Sequence, residues 1–342
     1  MVVFLWGCGD QQPDTDVAGI DLALDFRRTD SLMYACATAL QGPQPPTVYE
    51  AFETYLRPDR DYWYQWLGVD QAMPGASPQR ADSLLAVQLG TLLREPGVLQ
   101  VLDSIRRVFP YNYPFAERLA PPLKRLVRAF PDIALPAIRT HANGYDPSGD
   151  PRSVDQLMPM PDYFSLGLHY FLGENFSFYP PNLPGYIRRR YDPAFVEVEM
   201  MHEIAEGMVA PLDLSRQPTL LDHMIRVGIK QYFVHQMLPY TPDSMRLRYT
   251  SKQMAWADYY EDRIYKELLE QLFDTDYTLI RDYLSDKPYT TTLSSESAPR
   301  IGEYTGWKIV DAYMRRNSEV TLADLCARND YQAIFQASRY KP

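Results

Sequence analysis

The residues best suited to chemistry are two histidines, His223 and His235, in the stretch "TLLDHMIRVGIKQYFVHQ". A catalytic zinc takes three protein ligands and keeps a fourth position open. Two ligands on one helix must stand at i and i+4 to share a face, as in His-Glu-x-x-His, where the Glu serves as general base. Four residues after His223 comes Val227 and four before it Thr219, so His223 has no helical partner for a metal. His235 lies three turns further on. Asp222 and Arg226 do stand four apart, but a guanidinium is not deprotonated in proteins and cannot ligate zinc. The expected arrangement is an Asp222–Arg226 i,i+4 ion pair beside a half-buried, hydrogen-bonded His223.

A second stretch, "MMHEIAEG", places His202 and Glu206 at i and i+4 with Glu203 between them. A His/carboxylate pair of this spacing can bind zinc. A solvated acidic helix face is the reading expected. No Gly-x-Ser-x-Gly elbow, phosphate-binding glycine loop, Cys-x-x-Cys or calcium-loop pattern occurs. His141 and His169 fall on expected strands with no evident nucleophile. Asp146 and Asp150 are read as part of a solvated turn rather than a calcium site. Phe176, Phe178, Tyr179 and Tyr186 could line a glycan or peptide groove, although an apolar anchor for a proline-rich loop is the simpler reading.

The elements that must carry these residues follow from periodicity. "DLALDF" alternates as a strand, and from Asp30 to Phe130 apolar residues recur at helical spacing. "DIALPAIRTHANGYDPSGD" reads as a strand entering a turn. "DYFSLGLHYFLG" reads as a second strand with Leu166, Leu168, Tyr170 and Leu172 on one face. Helices are expected from about Ala194 to Met208, Leu220 to Leu238, Ser251 to Leu272, Tyr277 to Ser285 and Gly302 to Arg316, then two short ones from Leu322 and Tyr331. Pro239 closes the histidine-bearing helix. The expected fold is α+β and predominantly helical, one domain over 21–342. A helical half (21–130), a small central sheet (131–175) and a second helical half (185–342) make it up.

The chain has 342 residues and a net charge of -10, with no basic face of the kind a nucleic-acid binder needs. Its 26 Tyr and 29 Pro suit an envelope protein. No run of about 18 apolar residues is present to span a membrane. The first residues, "MVVFLWGC", resemble a bacterial lipobox over 1–8, with Leu5 three before Cys8 and a small residue just before it. The stretch lacks a basic region and is short, so the start is expected to lie within a signal peptide. Residues 9–20 then form a tether. The alternative is an apolar strand with Cys8 as a buried thiol. For Cys36 and Cys326, two buried thiols are expected over a disulfide.

Several separated stretches resemble the GldB family of gliding-motility lipoproteins: "TLLDHMIRVGIKQYFVHQMLPYTPDS", "YTSKQMAWADYYEDRIYKELLE", "SAPRIGEYTGWKIVDAYMRRN" and "AIFQASRYKP". Looser agreement extends through "PAIRTHANGYD", "DYFSLGLHYFLGENFSFY" and "LREPGVLQVLDSIRRVFP". The family is itself similar to zinc-dependent proteases of the gluzincin type. That resemblance implies a zincin-like scaffold in which Asp222, His223 and Arg226 stand near the place of the zinc signature. Glu261 matches the ligand helix, and Gly302, Gly306 and Trp307 match the helix after it. The ligand set itself is missing. The resemblance therefore implies a non-catalytic, lipid-anchored, periplasm-facing protein that works with envelope protein partners in gliding and its associated secretion, without cofactor. Asp222, His223, Arg226 and Glu261 would line a vestigial cleft. A divergent zinc peptidase with a reduced ligand set, and a glycan- or peptide-binding envelope module, stand as the competing readings.

Overall fold

The computed structural model describes residues 15–142 and 157–342. The lipobox at Cys8, the first part of the tether, and Asp146 and Asp150 lie outside the described residues. Along the chain the helices are α1 (Thr29–Leu40), α2 (Val48–Ala51), α3 (Arg60–Trp66), α4 (Val69–Ala72), α5 (Pro78–Arg94), α6 (Pro96–Val108), α7 (Phe115–Ala129), α8 (Gly185–Arg188) and α9 (Val196–Met208). They continue as α10 (Leu220–Met237), α11 (Asp243–Arg246), α12 (Ser251–Tyr259), α13 (Glu261–Leu269), α14 (Tyr277–Leu284), α15 (Ile301–Arg316), α16 (Leu322–Ala327) and α17 (Tyr331–Ser338). The strands are β1 (Phe26–Arg27), β2 (Ala137–His141), β3 (Leu157–Pro159) and β4 (Tyr163–Gly167). None of the helices is long and apolar enough to cross a membrane, among the described residues.

The fold is thus mostly helical with a small sheet, as the periodicity predicts. The sequence reading takes 21–342 as one domain, whereas the contacts divide the chain into two compact units. Among the described residues, one comprises Ala23–Ala116 with those of 134–200; the other comprises 15–22, Glu117–Ile133 and Met201–Pro342. Each unit is assembled from separate segments, so no linker or shift in composition marks a boundary along the chain.

In the first unit the sheet has the order β1-β2-β4-β3. Strands β1, β2 and β4 run parallel, with Ile138 opposite Phe164, and β3 runs antiparallel to β4. Burial along β2 and β4 is continuous after the first residue. That is the pattern of parallel strands covered on both faces, not the alternation of a half-exposed sheet. The expected long strand through Leu172 stops at Gly167, where the chain turns into a 3-10 helix over Leu168–Tyr170. Of the "DLALDF" segment only Phe26, its last residue, enters the strand ladder, together with Arg27 that follows it. Trp63, Tyr62, Phe52 and Phe109 fill the core.

In the second unit α10 and α15 cross at very short range. A Cβ on Gly306 would lie 2.0 Å from the Met224 carbonyl oxygen, and one on Gly228 would lie 2.3 Å from the Gly306 backbone. Glycine is required at both positions because backbone faces backbone. The single helix expected over Ser251–Leu272 is broken at Tyr260, which leaves α12 and α13. The second half of the expected tether is not free chain. Val17 is buried and Asp16 accepts from Arg125 (2.8 Å) and Arg128 (3.3 Å). The Arg125 hydrogen bond holds the Asp16 carboxyl below its ordinary pKa. Cys36 and Cys326 are both free and buried, and burial pushes each thiol up to about 12.

Candidate functional site

The residues singled out by spacing lie at the start of α10. Thr219 caps this helix. Its hydroxyl oxygen accepts from the Asp222 N–H (3.3 Å), while the Asp222 carboxylate accepts from the Thr219 N–H (2.8 Å) and hydroxyl (2.9 Å). This reciprocal capping box satisfies donors that a helix start leaves open. It corrects the expected Asp222–Arg226 pair, because the Asp222 carboxylate is turned back toward Thr219. Arg226 points elsewhere. Its Nε donates to the Ala210 carbonyl (3.0 Å) and Nη2 to Glu206 (2.6 Å). Lys230 completes the group with a 2.5 Å bond to the other Glu206 oxygen. Burial alone would raise the Glu206 carboxyl, but the hydrogen bonds from Arg226 and Lys230 hold it below the ordinary glutamate range.

His223 is half-buried between these groups. Burial pushes its pKa below the usual value, Asp222 pulls it up, and Arg226 pushes it down again. The ring is therefore neutral near pH 7. His235 lies on the same continuous helix, twelve residues or roughly 18 Å along the axis. It stacks near Trp307, with ring centroids 6.0 Å apart. The two histidines serve separate places, as their spacing implies.

Glu261 opens α13. Its Oε1 accepts from the Tyr340 hydroxyl at 2.5 Å, and Oε2 stands 3.7 Å from Lys308. Lys308 also lies 3.8 Å from Asp258, which accepts from Tyr304 (2.8 Å). Glu261 thus belongs to a cluster with α15 and the C-terminus, whereas Asp222 and Arg226 are engaged with Thr219, Ala210 and Glu206. His202 and Glu206, the other spaced pair, also part company. His202 Nε2 sits 2.8 Å from the Arg246 carbonyl, while Glu206 binds Arg226 and Lys230. No group of three or more His, Cys, Asp or Glu stands ready to hold a metal ion, among the described residues.

Two buried polar clusters were not evident from spacing. In the α10/α15 unit, Glu303 accepts from Gln231 and from Arg300 Nε (2.9 Å); Arg300 also binds Asp286 and the Leu247 carbonyl (2.6 Å). Burial opposes the Glu303 charge, but Arg300, Arg248 and His202 outweigh it and hold the carboxyl ionised. The available signal was Arg300 three residues before Glu303, together with a carboxylate on an otherwise apolar helix face. In the sheet unit, Ser165 Oγ lies 2.7 Å from His141 Nδ1 and 2.7 Å from the Tyr62 hydroxyl. His141 therefore does have a hydroxyl partner. All three side chains are 0% exposed, and the hydrogen bonds among them pair polar groups buried in the sheet unit. In the aromatic loop Tyr179 is buried, its hydroxyl accepts from the Leu172 N–H (3.0 Å) and Phe176 packs edge-on against it, whereas Phe178 is exposed.

No curated protein and no solved structure matches the chain. The family model described as gliding motility protein GldB, whose label marks a lipoprotein family, matches residues 10–342, essentially the whole sequence. With in-order stretches from "LREPGVLQVLDSIRRVFP" to "AIFQASRYKP" carrying the same resemblance, the chain belongs to the GldB family of gliding-motility proteins.

Proposed function

We propose that the protein is a non-catalytic accessory component of the cell envelope. It is lipid-anchored through Cys8, faces the periplasm, and acts with protein partners in gliding and its associated secretion machinery. Its scaffold is of the zincin-like, gluzincin type with a degenerate metal site. The observation that carries this reading is the use made of the first turns of α10. Asp222 is spent on a capping box and Arg226 on Glu206 and the Ala210 carbonyl, where a zinc protease would keep its ligands. Glu261, the match to the second-helix ligand, is engaged by Tyr340 and Lys308. Family membership supports the link to gliding.

Complementation tests the reading. In a gliding strain deleted of its own copy, an allele carrying His223→Ala with Glu261→Gln is expected to restore colony spreading. Failure of that allele at normal protein level would overturn the non-catalytic role. Radiolabelled palmitate is expected to enter the full-length precursor and not its Cys8→Ala variant; labelling of both refutes the anchor.

A further inference from the structure

A cavity of about 270 Å³ opens beside the break between α12 and α13, and none of the candidate site residues described above lines it. Trp256 and Tyr260, one helical turn apart, form one wall with ring centroids 5.0 Å apart and planes inclined by 47°. The buried Ile264 lies behind them. Arg263 and Glu267 border the opening from α13, and Ser294 and Glu296 face them from the loop after α14.

That loop is held in shape before any ligand arrives. The Asp282 carboxylate, 7% exposed, accepts from the Thr292 hydroxyl (2.6 Å), the Thr292 N–H (2.8 Å), the Thr291 N–H (3.3 Å) and Lys287 (2.7 Å). Its ends are tied by the Thr290 N–H to Ser297 Oγ (2.9 Å) and the Thr290 hydroxyl to the Ala298 carbonyl (2.9 Å). A wall fixed in this way spares a ligand the ordering free energy that a loose loop would demand.

We propose that this cavity is a binding site for a neutral saccharide, one or two rings in size, with the apolar face of one ring laid on Trp256. Three features select that class. The Trp256 ring offers an apolar face at one side of a mainly polar opening, with Tyr260 inclined beside it. The polar rim mixes pure acceptors (Glu267, Glu296), a pure donor (Arg263) and a hydroxyl that does both (Ser294), which matches a ring of hydroxyl groups. The charges oppose anionic ligands: two carboxylates stand on the rim against one guanidinium, which disfavours phosphate or an acidic peptide and leaves the cationic ligand as the comparison the test must exclude. The volume, about 270 Å³, falls just below the range of about 300–1,000 Å³ for drug-sized ligands and is too small for a folded partner. The inference stands on this cavity alone and is independent of whether the protein is catalytic.

The test is ligand-observed NMR and calorimetry on the full chain with three disaccharides (chitobiose, mannobiose and maltose), and with a lysine-containing tripeptide as the cationic comparison. At least one disaccharide is expected to bind at about 20 mM or below. Trp256→Ala should weaken it at least tenfold, and Trp256→Phe, which keeps an aromatic surface and checks folding by circular dichroism, should weaken it less. Silence of all three disaccharides, equal binding by Trp256→Ala, or binding of the tripeptide alone would each overturn the proposal.

Discussion

Replacing Gly306 by alanine should destabilise the protein although alanine is the better helix former. In an open helix the change would stabilise by about 0.8–1.0 kcal/mol. Here the new Cβ would lie 2.0 Å from the Met224 carbonyl oxygen, where ordinary contact begins at 3.4 Å. The difference, 3.4 − 2.0 = 1.4 Å, has to come from parting α10 and α15, because a backbone oxygen cannot rotate aside. A gap of 0.5–1 Å already forfeits a quarter to a half of the dispersion at a contact. Overpacking in cores costs about 1–3 kcal/mol, occasionally more, and backbone-on-backbone contact belongs at the upper end. Set against the propensity gain, the net loss is about 2 kcal/mol. Urea unfolding followed by circular dichroism, with a slope of roughly 2–3 kcal/mol/M, would show the midpoint falling by about 1 M. Gly228→Ala should behave alike, and the double variant should lose less than the sum, since one separation accommodates both methyls. Gly207→Ala, which meets nothing within 4 Å, is the control and should be neutral or mildly stabilising. A Gly306→Ala protein as stable as its parent, with unchanged slope, would refute the close-packing account.

Glu303→Ala leaves Arg300 without one of its buried partners and should cost about 3–5 kcal/mol in the same assay; Glu303→Gln should cost less. Arg226→Ala should cost about 1 kcal/mol, because its carboxylate partner Glu206 is half-exposed and screened. Acid should destabilise the fold through histidines held neutral by burial: His169, His223 and His235 all have folded pKa values below 6.5. The unfolded chain takes up those protons first, so stability falls as pH drops below 6.5 toward the folded values. For the fully buried His169 the slope is at most about 1.4 kcal/mol per pH unit, and His169→Asn should flatten a plot of unfolding midpoint against pH.

The helices were legible because their apolar spacing and their caps are local. Thr219-x-x-Asp222, Thr250-x-x-Gln253 and Thr321-x-x-Asp324 all form capping boxes at helix starts, and the Asp222 partner could have been read from that pattern. The break at Tyr260 was not legible, since neither proline nor glycine marks it. Strand lengths were overestimated where apolar residues continue past the last pairing, as at Leu168 and Leu172. The polar partnerships depend on contacts far apart in sequence, Glu206 with Arg226 across 20 residues and Gln231 with Glu303 across 72. Periodicity carries no information at that range. For the same reason the spacing of Asp222 and Arg226 invited a pair that the fold resolves into two separate attachments. What the spacing did convey is that His223 and His235 cannot share a ligand.

The most direct test of the central claim is the zinc content of the purified full chain after equilibration with zinc and removal of excess, measured by inductively coupled plasma mass spectrometry beside the His223→Ala variant. A protein whose α10 start is given over to capping and ion pairing should retain far less than one zinc per chain, with no difference between the two proteins. One zinc per chain in the parent, lost in His223→Ala while the fold is intact, would contradict it.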